Sequence, residues 1–351
     1  MTPAFWKGRR VFLTGHTGFK GAWLSLWLQH LGAVVRGYAL APETPRDLFV
    51  VAGVEAGLAH ETADVRDAAA LAGAVKAFAP DIVIHMAAQS LVRRSYSQPL
   101  ETYATNVMGT AHVLEAVRHV PRIQATLIVT SDKCYENDES GRAFRETDPM
   151  GGHDPYSSSK GCAELVTSAY TRSFSPGPVA SVRAGNVIGG GDWSQDRLLP
   201  DLFRALLSSG AVALRSPKSV RPWQHVLEPL SGYLAVAEHL AANAPRAPQA
   251  WNFGPDAASE QTVAMVAHRC AELWGRAAAV TEAPSPDAPH EAHLLRLDSG
   301  KARRELDWSP RWNMEQTLRR TTDWYRAFAD GGDMRAFTLA QIADYQAARE
   351  E

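Results

Sequence analysis

The chain has 351 residues, of which 45% are hydrophobic and 21% are charged, and its formal net charge is -2. These values are ordinary for a soluble globular protein, and the length is enough for one large domain or two closely packed ones. The small net charge gives no electrostatic reason to expect nucleic acid or an anionic membrane as a partner. No stretch is apolar for long enough to span a bilayer. We therefore expect no nucleic-acid partner and no membrane association.

Cysteine usage bears on the cellular compartment. Cys134, Cys162 and Cys270 are far apart in the chain, and none belongs to a C-x-x-C pair. This spacing argues against a disulfide framework or a zinc knuckle and is typical of a reducing compartment. Residues 1–10 lack the long apolar segment of a signal peptide. A cytoplasmic location is therefore expected.

The first half of the chain alternates short apolar runs with longer helical patterns, which predicts a parallel sheet covered by helices on both faces. A crossover helix is predicted over residues 21–31, where tryptophans and leucines recur at helical spacing. A second long helix is predicted over 156–174, with Asp154 as N-cap and Pro155 at the first helical position. The predicted strands are residues 10–14, 34–38, 82–86, 125–130 and 179–184.

Beyond Asn186 the pattern changes, because three glycines at 189–191 and frequent prolines divide the chain into short helices and strands. Such a region is expected to form a small lobe over the carboxyl edge of the sheet, where open α/β folds bind ligands. The predicted fold class is α/β, a Rossmann-type doubly wound parallel sheet with a smaller mixed α/β C-terminal lobe. The sheet domain is predicted over 1–185 with returning segments around 221–255, and the lobe mainly over 186–351.

A glycine-rich loop follows the first predicted strand. Its G-x-x-G-x-x-G spacing permits a tight turn, close approach of a diphosphate to the backbone, and tight helix–strand packing at the three glycines in turn. The following helix offers free N–H groups and the positive end of its dipole. Glycines also serve ordinary turns, but the position between a strand and a helix favours binding of a dinucleotide cofactor. The residues concerned are Gly15, His16, Thr17, Gly18, Phe19, Lys20 and Gly21.

The end of the second predicted strand has no acid in residues 38–41, although dinucleotide sites usually place one there to bind the ribose. Arg36, His16 and Lys20 are nearby cations that could accept a 2′-phosphate or could be solvated surface charges. The Asp64-Val65 pair could contact adenine or could form a surface turn. This part of the sequence alone leaves NAD and NADP both open.

Tyr156 and Lys160 are four residues apart on the second predicted helix and hence on one face. The ammonium can lower the pKa of the phenol, with help from a cationic nicotinamide ring, so that Tyr156 acts as a base toward a substrate hydroxyl. Y-x-x-x-K occurs often by chance, but here it opens the helix that follows the strand at 125–130. We therefore predict that both residues are catalytic and that both contact the cofactor.

Ser131, Asp132 and Lys133 follow the strand predicted over 125–130, where side chains reach the mouth of an α/β site. A simple dehydrogenase needs only a hydroxyl there. Elimination of water also needs a base for a carbon-bound proton and an acid for the departing hydroxyl. Asp132 as the acid requires a raised pKa, and Lys133 as the base requires a depressed pKa. The alternative is a surface ion pair.

With these motifs the chain resembles the extended short-chain dehydrogenase/reductase superfamily and, within it, the CDP-glucose 4,6-dehydratases. The resemblance extends over nearly the whole chain, and its late segments are more specific than the glycine loop. Where the dTDP-glucose dehydratases have Thr-Asp-Glu, this chain has Ser131-Asp132-Lys133. The segments that carry the resemblance are 5–8, 14–21, 85–89, 105–110, 130–135, 149–152, 183–193, 221–226, 251–255 and 290–293.

The resemblance implies NAD as the cofactor and a nucleotide sugar, CDP-D-glucose, as the substrate. It implies that Tyr156 removes the O4 proton while hydride leaves C4 for NAD, with Ser131 orienting the hydroxyl. Lys133 then removes the C5 proton as Asp132 assists departure of the C6 hydroxyl, and hydride returns to C6. The implied product is CDP-4-dehydro-6-deoxy-D-glucose, and water is the only other product.

The resemblance also implies further contacts in both halves of the chain. Those expected for the cofactor are Asp64, Val65, Ala87, Ala88, Gln89, Asn106 and Thr130. Those expected for the sugar nucleotide are Asn186, Asp192, Trp193, Arg197, Arg215, Arg221, His225, Asn252, His290 and His293. A solvated surface role is the alternative for any single arginine, and core packing is the alternative for any single tryptophan. The run 290–293 is not an H-E-x-x-H site, so no metal is expected.

Two other functions stay open at this point. A nucleotide-sugar 4-epimerase would share the oxidation at C4 but would not need the Asp132-Lys133 pair. A non-enzymatic dinucleotide-sensing regulator on the same fold could dispense with Tyr156 and Lys160, yet both are present. A homodimer is expected by family likeness, through the helices predicted over 101–117 and 156–174.

Overall fold

The computed structural model of the protein describes residues 2–245, 247–276, 280–283 and 294–348. Its strands, in chain order, are β1 (Arg10–Thr14), β2 (Val34–Ala39), β3 (Ala59–Thr62), β4 (Ile82–His85), β5 (Ala125–Val129), β6 (Ala143–Phe144), β7 (Val179–Ala184), β8 (Val187–Ile188), β9 (Val212–Leu214), β10 (Val220–Pro222), β11 (Gln224–His225), β12 (Gln249–Phe253), β13 (Glu260–Thr262), β14 (Val280–Glu282) and β15 (Arg296–Leu297).

The helices flank these strands. In chain order they are α1 (Pro3–Trp6), α2 (Phe19–His30), α3 (Leu48–Val51), α4 (Ala68–Phe78), α5 (Val92–Ser97), α6 (Pro99–Tyr103), α7 (Gly109–Arg118), α8 (Pro155–Phe174), α9 (Leu198–Leu207), α10 (Leu227–Asn243), α11 (Val263–Trp274), α12 (Gly300–Leu306), α13 (Met314–Ala329) and α14 (Met334–Ala347).

The centre of the fold is a seven-stranded parallel sheet with the order β12-β7-β5-β4-β1-β2-β3. Strands β4, β5 and β7 are buried at every position, as expected for a parallel sheet whose two faces are both covered. The direction of strand succession reverses between β1 and β4. The carboxyl ends of these two strands therefore border a crevice, which is where open α/β sheets bind ligands.

The doubly wound parallel sheet predicted from the sequence is confirmed. Strands β1 and β7 have the predicted bounds, and β2, β4 and β5 differ by one residue at one end. Helix α2 begins at Phe19, two residues before the predicted start. Helix α8 has the predicted N-cap, because the Asp154 carboxylate accepts a hydrogen bond from the Ser157 N–H at 2.9 Å.

The second half of the chain forms shorter elements. Strands β8 to β11 and β13 to β15 take part in two-stranded sheets, and within the described ranges β12 alone returns to the main sheet after β7. Strand β12 lies in the segment 221–255 that was expected to return. The division into a sheet domain over 1–185 and a lobe over 186–351 stays a prediction.

Helices α6 and α7 are joined without a break by a π-helical turn, Ala104–Met108. This continuous helix corresponds to the one expected over 101–117. Single π turns inside α-helices are often found at functional sites, because the extra residue redirects a side chain. Across the described ranges, no helix combines the length and apolar character needed to cross a membrane.

Candidate active site

The glycine loop between β1 and α2 is shaped by close backbone contacts. Gly15 has a φ of +74°, and a Cβ there would lie 2.6 Å from the Ala87 nitrogen. A Cβ on Gly21 would lie 2.1 Å from the Gly15 carbonyl oxygen. Gly18 is the N-cap of α2 and offers no side-chain cap, so the first-turn N–H groups are left for another acceptor. This cradle fits the diphosphate of a dinucleotide.

The cations near the end of β2 do not form a site for a 2′-phosphate. The Arg36 guanidinium is paired with the Glu61 carboxylate. The His16 ring is buried with its Nε2 2.7 Å from Nδ1 of His60, and burial, followed by the charge of His60, lowers the pKa of His16 to about 3. Neither side chain therefore offers a free positive charge, which favours a cofactor without that phosphate.

Lys20 faces the catalytic candidates and not the surface. Its ammonium donates a hydrogen bond to the Tyr233 hydroxyl at 3.0 Å. Burial is the largest cause that lowers the pKa of Lys20, to about 7, and the positive charges of Lys160 and Arg197 act in the same direction. A lysine in this position changes its protonation near neutral pH.

Tyr156 and Lys160 lie on the buried face of α8. The Lys160 ammonium donates to the Val129 carbonyl at 3.1 Å, which ties it to the end of β5, and burial lowers its pKa to about 8. Burial raises the pKa of Tyr156 to about 12, against a hydrogen bond with Ser131 that lowers it, and Asp132 raises it further. In this arrangement burial outweighs the lowering of the phenol pKa that the sequence led us to expect.

Ser131 and Asp132 both lie close enough to Tyr156 to act on its phenol. The Ser131 hydroxyl donates to Asp132 Oδ1 at 2.7 Å and accepts the Lys133 N–H at 3.2 Å. Asp132 is only 4% exposed, and its Oδ2 lies 2.9 Å from where a Cβ on Gly185 would be. The charge of Asp132 acts on Tyr156, so its carboxylate is not directed into bulk solvent. Lys133, which follows them in the chain, is half-buried. The turn therefore does not form the surface ion pair that was the alternative interpretation.

A hydrogen-bonded group supports the site from the π-helical turn. The Asn106 side chain donates to the Gln89 carbonyl and to the Ser159 hydroxyl, both at 2.9 Å, and accepts the Gln89 N–H at 2.8 Å. The Thr130 hydroxyl donates to Glu164 Oε1. The Asn106 contacts join the segment after β4 to helix α8. The Thr130 contact joins the end of β5 to the same helix. Whether Gln89, Asn106 and Thr130 also contact the cofactor stays a prediction.

The segment expected to contact adenine lies beyond β3. The Asp64 carboxylate is paired with Arg66, and hydrogen bonds from that side chain are the largest cause that holds the pKa of Asp64 below its usual value. Val65 is buried, and its side chain would be 2.9 Å from a Cβ on Gly109. The adenine contact stays a prediction. The other two predicted cofactor residues, Ala87 and Ala88, are half-buried beyond the end of β4.

Several predicted substrate residues form a group of ion pairs beside the site. Arg197 contacts Asp192 Oδ2 at 3.2 Å and the Ser90 hydroxyl at 3.2 Å. Asp196 Oδ1 lies 3.1 Å from Arg215 and 3.8 Å from Arg93. The charge of Arg197 acts on both Tyr156 and Lys20, so it lies near the catalytic residues. The Arg197 cluster consists of Arg93, Asp192, Asp196, Arg197 and Arg215.

His225 and Asn252 are fully buried, and a substrate contact of either stays a prediction. The His225 ring is fully buried with its centroid 4.8 Å from the ring of Trp312, and burial lowers its pKa to about 3. The Asn252 side chain accepts from Tyr135 and donates to the Phe144 carbonyl, at 2.8 and 2.9 Å. Both residues are enclosed by other side chains and serve packing.

Trp193 also serves packing, since its ring contacts Tyr325 and Phe328 with centroids 5.1 and 5.4 Å apart. Asn186 and Arg221 are half-buried on the segments around β8 and β10, and a substrate contact of either stays a prediction. His290 and His293 lie outside the described residues. Among the residues that are described, no group of three or more potential ligands could hold a metal ion.

Sequence reasoning did not single out three polar residues that the structure places around the site: Tyr233, Glu164 and Arg183. A signal existed for Glu164, because it follows Lys160 by four residues and therefore shares its helix face. No local pattern indicated Tyr233 or Arg183, which come from other elements and meet the site only in the folded chain.

With this geometry established, the chain can be compared with known proteins. A family model described as GDP-mannose 4,6 dehydratase matches residues 12–321. The chain belongs to this family. CDP-glucose 4,6-dehydratase of Salmonella typhimurium is 50% identical over 352 residues, which cover 98% of each chain. dTDP-glucose 4,6-dehydratase of Xanthomonas campestris is 27% identical, over 89% of this chain and 92% of its own.

Solved structures agree with membership of the family. dTDP-glucose 4,6-dehydratase from Streptomyces venezuelae, with NAD bound, superposes with a TM-score of 0.79 at 26% identity. The match covers 92% of this chain and 99% of that one. The extended short-chain dehydrogenase/reductase resemblance seen in the sequence is thereby confirmed.

Proposed function

We propose that this protein is an NAD-dependent nucleotide-sugar 4,6-dehydratase that converts CDP-D-glucose to CDP-4-dehydro-6-deoxy-D-glucose and water. The observation that carries the proposal is the convergence of Tyr156 and Lys160 with the Ser131-Asp132-Lys133 turn beyond the glycine cradle. Cytidine as the base is supported by the 50% identity to a CDP-glucose 4,6-dehydratase along almost the full chain.

NAD would be held by the glycine loop, and when bound it supplies the hydride acceptor and donor for the sugar. In the first step Tyr156 takes the proton of the C4 hydroxyl, and Ser131 holds that hydroxyl by hydrogen bonding. The phenol pKa of about 12 shows that this base needs positive charge nearby. Lys160 supplies one such charge from the same face of α8.

Oxidation at C4 makes the hydrogen on C5 acidic. The second step uses Lys133 and Asp132. Lys133 takes the C5 proton, while Asp132 gives a proton to the C6 hydroxyl, which leaves as water. Asp132 is 4% exposed, so its carboxyl lies inside the site and not in bulk solvent. A proton then returns to C5 as C6 is reduced, and no net oxidation takes place.

The nucleotide diphosphate would bind near Arg197. This guanidinium is 35% exposed, lies close enough to act on Tyr156, and has a planar fork that matches phosphate oxygens. Its present partners, Asp192 and Ser90, would be exchanged for phosphate oxygens when the substrate enters.

Product analysis tests the proposal. The purified protein with NAD is incubated separately with CDP-, dTDP-, GDP- and UDP-glucose, and products are identified by mass and by the 4-keto-6-deoxy absorbance after alkali. We expect loss of one water from CDP-glucose and little or none from the others. An unchanged mass with a new 4-epimer would indicate an epimerase, and no product from any donor would contradict the assignment.

Tyr156→Phe is the control variant, because it keeps the ring and removes the base. Its kcat is expected to fall by about 10²–10⁴-fold. The fold should be unaffected, as judged by circular dichroism, because the phenol ring still fills its buried space.

We also propose a cytoplasmic homodimer. Large apolar side chains are exposed on the helices α6 to α8, and exposed apolar surface of this kind often marks a subunit interface. They are Leu100 (83% exposed), Met108 (51%), Leu165 (60%) and Phe174 (52%). The three cysteines are free, which is consistent with a reducing compartment. Light scattering is expected to give twice the chain mass for the wild type and the single mass for Leu165→Glu.

A further inference from the structure

A buried ion pair lies under the catalytic residues. Glu164 is 6% exposed and Arg183 is 4% exposed, and two hydrogen bonds of 2.8 and 2.7 Å join the guanidinium to the two carboxylate oxygens. The Ser181 hydroxyl donates to Glu164 Oε2 at 2.6 Å, and the Thr130 hydroxyl donates to Oε1. Arg183 also donates to the Tyr135 hydroxyl at 2.6 Å. The Glu164 cluster consists of Thr130, Tyr135, Glu164, Ser181 and Arg183.

The Glu164 cluster joins the two elements that carry the proposed chemistry. Thr130 immediately precedes the Ser131-Asp132-Lys133 turn, and Tyr135 follows it closely. Glu164 lies one helical turn after Lys160 on α8. Ser181 and Arg183 lie on β7. A shift of α8 relative to β7 and the end of β5 would therefore break hydrogen bonds to a buried carboxylate, which is costly.

The charge of Glu164 has a second consequence, at Lys160. Burial lowers the pKa of Lys160, and the Glu164 carboxylate is the largest influence in the opposite direction, followed by Cys134. Cys134 is a neutral thiol, since burial raises its pKa well above the usual value. Lys20 and His85 also face Lys160, and burial and then the charge of Lys160 lower the pKa of each. Among these groups Glu164 supplies the negative charge.

Glu164 itself is an anion in this setting. Burial alone would raise its pKa, but the Arg183 guanidinium and the hydrogen bonds from Arg183, Ser181 and Thr130 bring it below the usual value. The carboxylate therefore has enough partners to stay charged while buried.

We propose that Glu164 is a positioning residue for the dehydration, which rests on the proposed function: it supplies the counter-charge that keeps Lys160 an ammonium beside Tyr156, and its two oxygens hold α8 against β7 and the end of β5. Arg183, Ser181 and Thr130 fix the carboxylate in place. In the absence of Glu164, Lys160 loses its proton at lower pH and no longer favours the phenolate of Tyr156.

The test measures the titration of Lys160 directly. Lysine labelled with ¹³C at Cε is introduced into the full-length protein with NAD bound, and the Lys160 signal is assigned from its absence in Lys160→Arg. In Glu164→Gln the pKa of Lys160 is expected to fall by about one unit or more. The alkaline limb of the kcat profile should move to lower pH by a similar amount, with little change in KM. Glu164→Asp, which keeps the charge, should restore both.

Ser181→Ala is the matched control, because it removes one hydrogen bond to the same carboxylate and keeps the charge. Its Lys160 titration is expected to match that of the wild type. Should Glu164→Gln not fold, the neutral pair Glu164→Gln with Arg183→Met is measured instead, and Lys160 is expected to shift in the same direction. A folded variant without the Glu164 charge that titrates Lys160 like the wild type would overturn the proposal. A wild type that makes no 4-keto-6-deoxy product would instead contradict the proposed function, since the lysine titration needs no turnover.

Discussion

The Glu164 cluster and the Arg197 cluster flank the same catalytic residues and differ in burial. In the first, the paired side chains Glu164 and Arg183 are 6% and 4% exposed. In the second, Asp196 is 46% exposed and its partners Arg93 and Arg215 are 35% and 38% exposed. The strength of an ion pair depends on how much water its partners have lost and on how costly it is to leave one of them alone.

The difference separates two tasks. A buried carboxylate with four hydrogen bonds from its neighbours has no alternative partner, so it fixes the position of α8 relative to β7 and the end of β5. Arg197 is 35% exposed, and its buried partner Asp192 also accepts hydrogen bonds from the Ser194 N–H and hydroxyl. Arg197 can therefore release Asp192 and take a phosphate group without leaving that carboxylate unpartnered. The Glu164 cluster holds the residues of the proposed chemistry in a fixed geometry. The Arg197 cluster provides charged side chains that can change partners when a ligand binds.

The largest expected effect is on stability. Arg183→Ala leaves Glu164 buried without its counter-ion, and we expect the free energy of unfolding to fall by about 3–5 kcal/mol. Urea unfolding followed by circular dichroism measures this. Arg303→Ala is the matched control, because its pair with Asp256 is exposed at 44% and 64%, and its loss should be within about 1 kcal/mol. Equal losses in the two variants would break the comparison.

Buried histidines extend the comparison to pH. Burial is the largest cause that lowers the pKa of His16, His85 and His225 to about 3, so each is neutral in the fold and binds a proton on unfolding below about pH 6.5. Their contribution to stability is present above pH 6.5 and is lost as the pH falls. Burial raises the pKa of Glu228 to about 7, which acts in the opposite direction between about pH 4.5 and 7.

Each histidine contributes a loss of about 1 kcal/mol between pH 6.5 and 5.5 and Glu228 offsets about 1 kcal/mol, so the protein should lose about 2 kcal/mol of unfolding free energy over this interval. Urea midpoints at a series of pH values measure the loss. A flat profile over this interval would show that the three rings are not neutral and buried together.

On the ligand side, Arg197→Ala should raise KM for the nucleotide sugar about tenfold or more, because a charged hydrogen bond to phosphate is lost. The free energy of unfolding should fall by less than in Arg183→Ala, because Asp192 keeps its hydrogen bonds from the Ser194 N–H and hydroxyl. Steady-state kinetics at low and high salt measure the effect, which should shrink as salt screens the remaining charges. A fall in kcat with unchanged KM would instead place Arg197 in the chemistry.

The smallest effect is expected for Asp196→Asn, which removes the charge shared by Arg93 and Arg215. Stability should change by no more than about 1 kcal/mol, as is usual for exposed pairs. KM should stay the same or fall slightly, because both arginines then have one competitor fewer. A loss of several kcal/mol would show that the Arg197 cluster is structural.

The sequence was most informative for features that are encoded by residues close together in the chain. The glycine loop after β1, the N-cap of α8 at Asp154, and the Tyr156 and Lys160 pair are each encoded within a few residues, and the structure contains each of them. The parallel sheet was predictable for the same reason, since its buried strands are continuous apolar runs.

Long-range contacts were not predictable in this way. Arg183 reaches Glu164 from a different strand, and Lys20 meets Tyr233 from a distant helix, with no local pattern to connect either pair. The same limit applies to the burial of His225 and Asn252, because no local pattern indicated that the fold would enclose these two polar side chains. The rise in the pKa of Tyr156 on burial also depends on its neighbours in the folded chain, which local sequence does not reveal.

The central claim is that the hydride removed from C4 of the sugar returns to C6 of the same sugar molecule, while a carboxyl and an amine expel water. Incubation with CDP-glucose deuterated at C4 tests it most directly, with mass spectrometry and NMR of the product. We predict loss of one water with the deuterium kept and found at C6. A product that has lost no water, or a dehydrated product without deuterium at C6, would contradict the account.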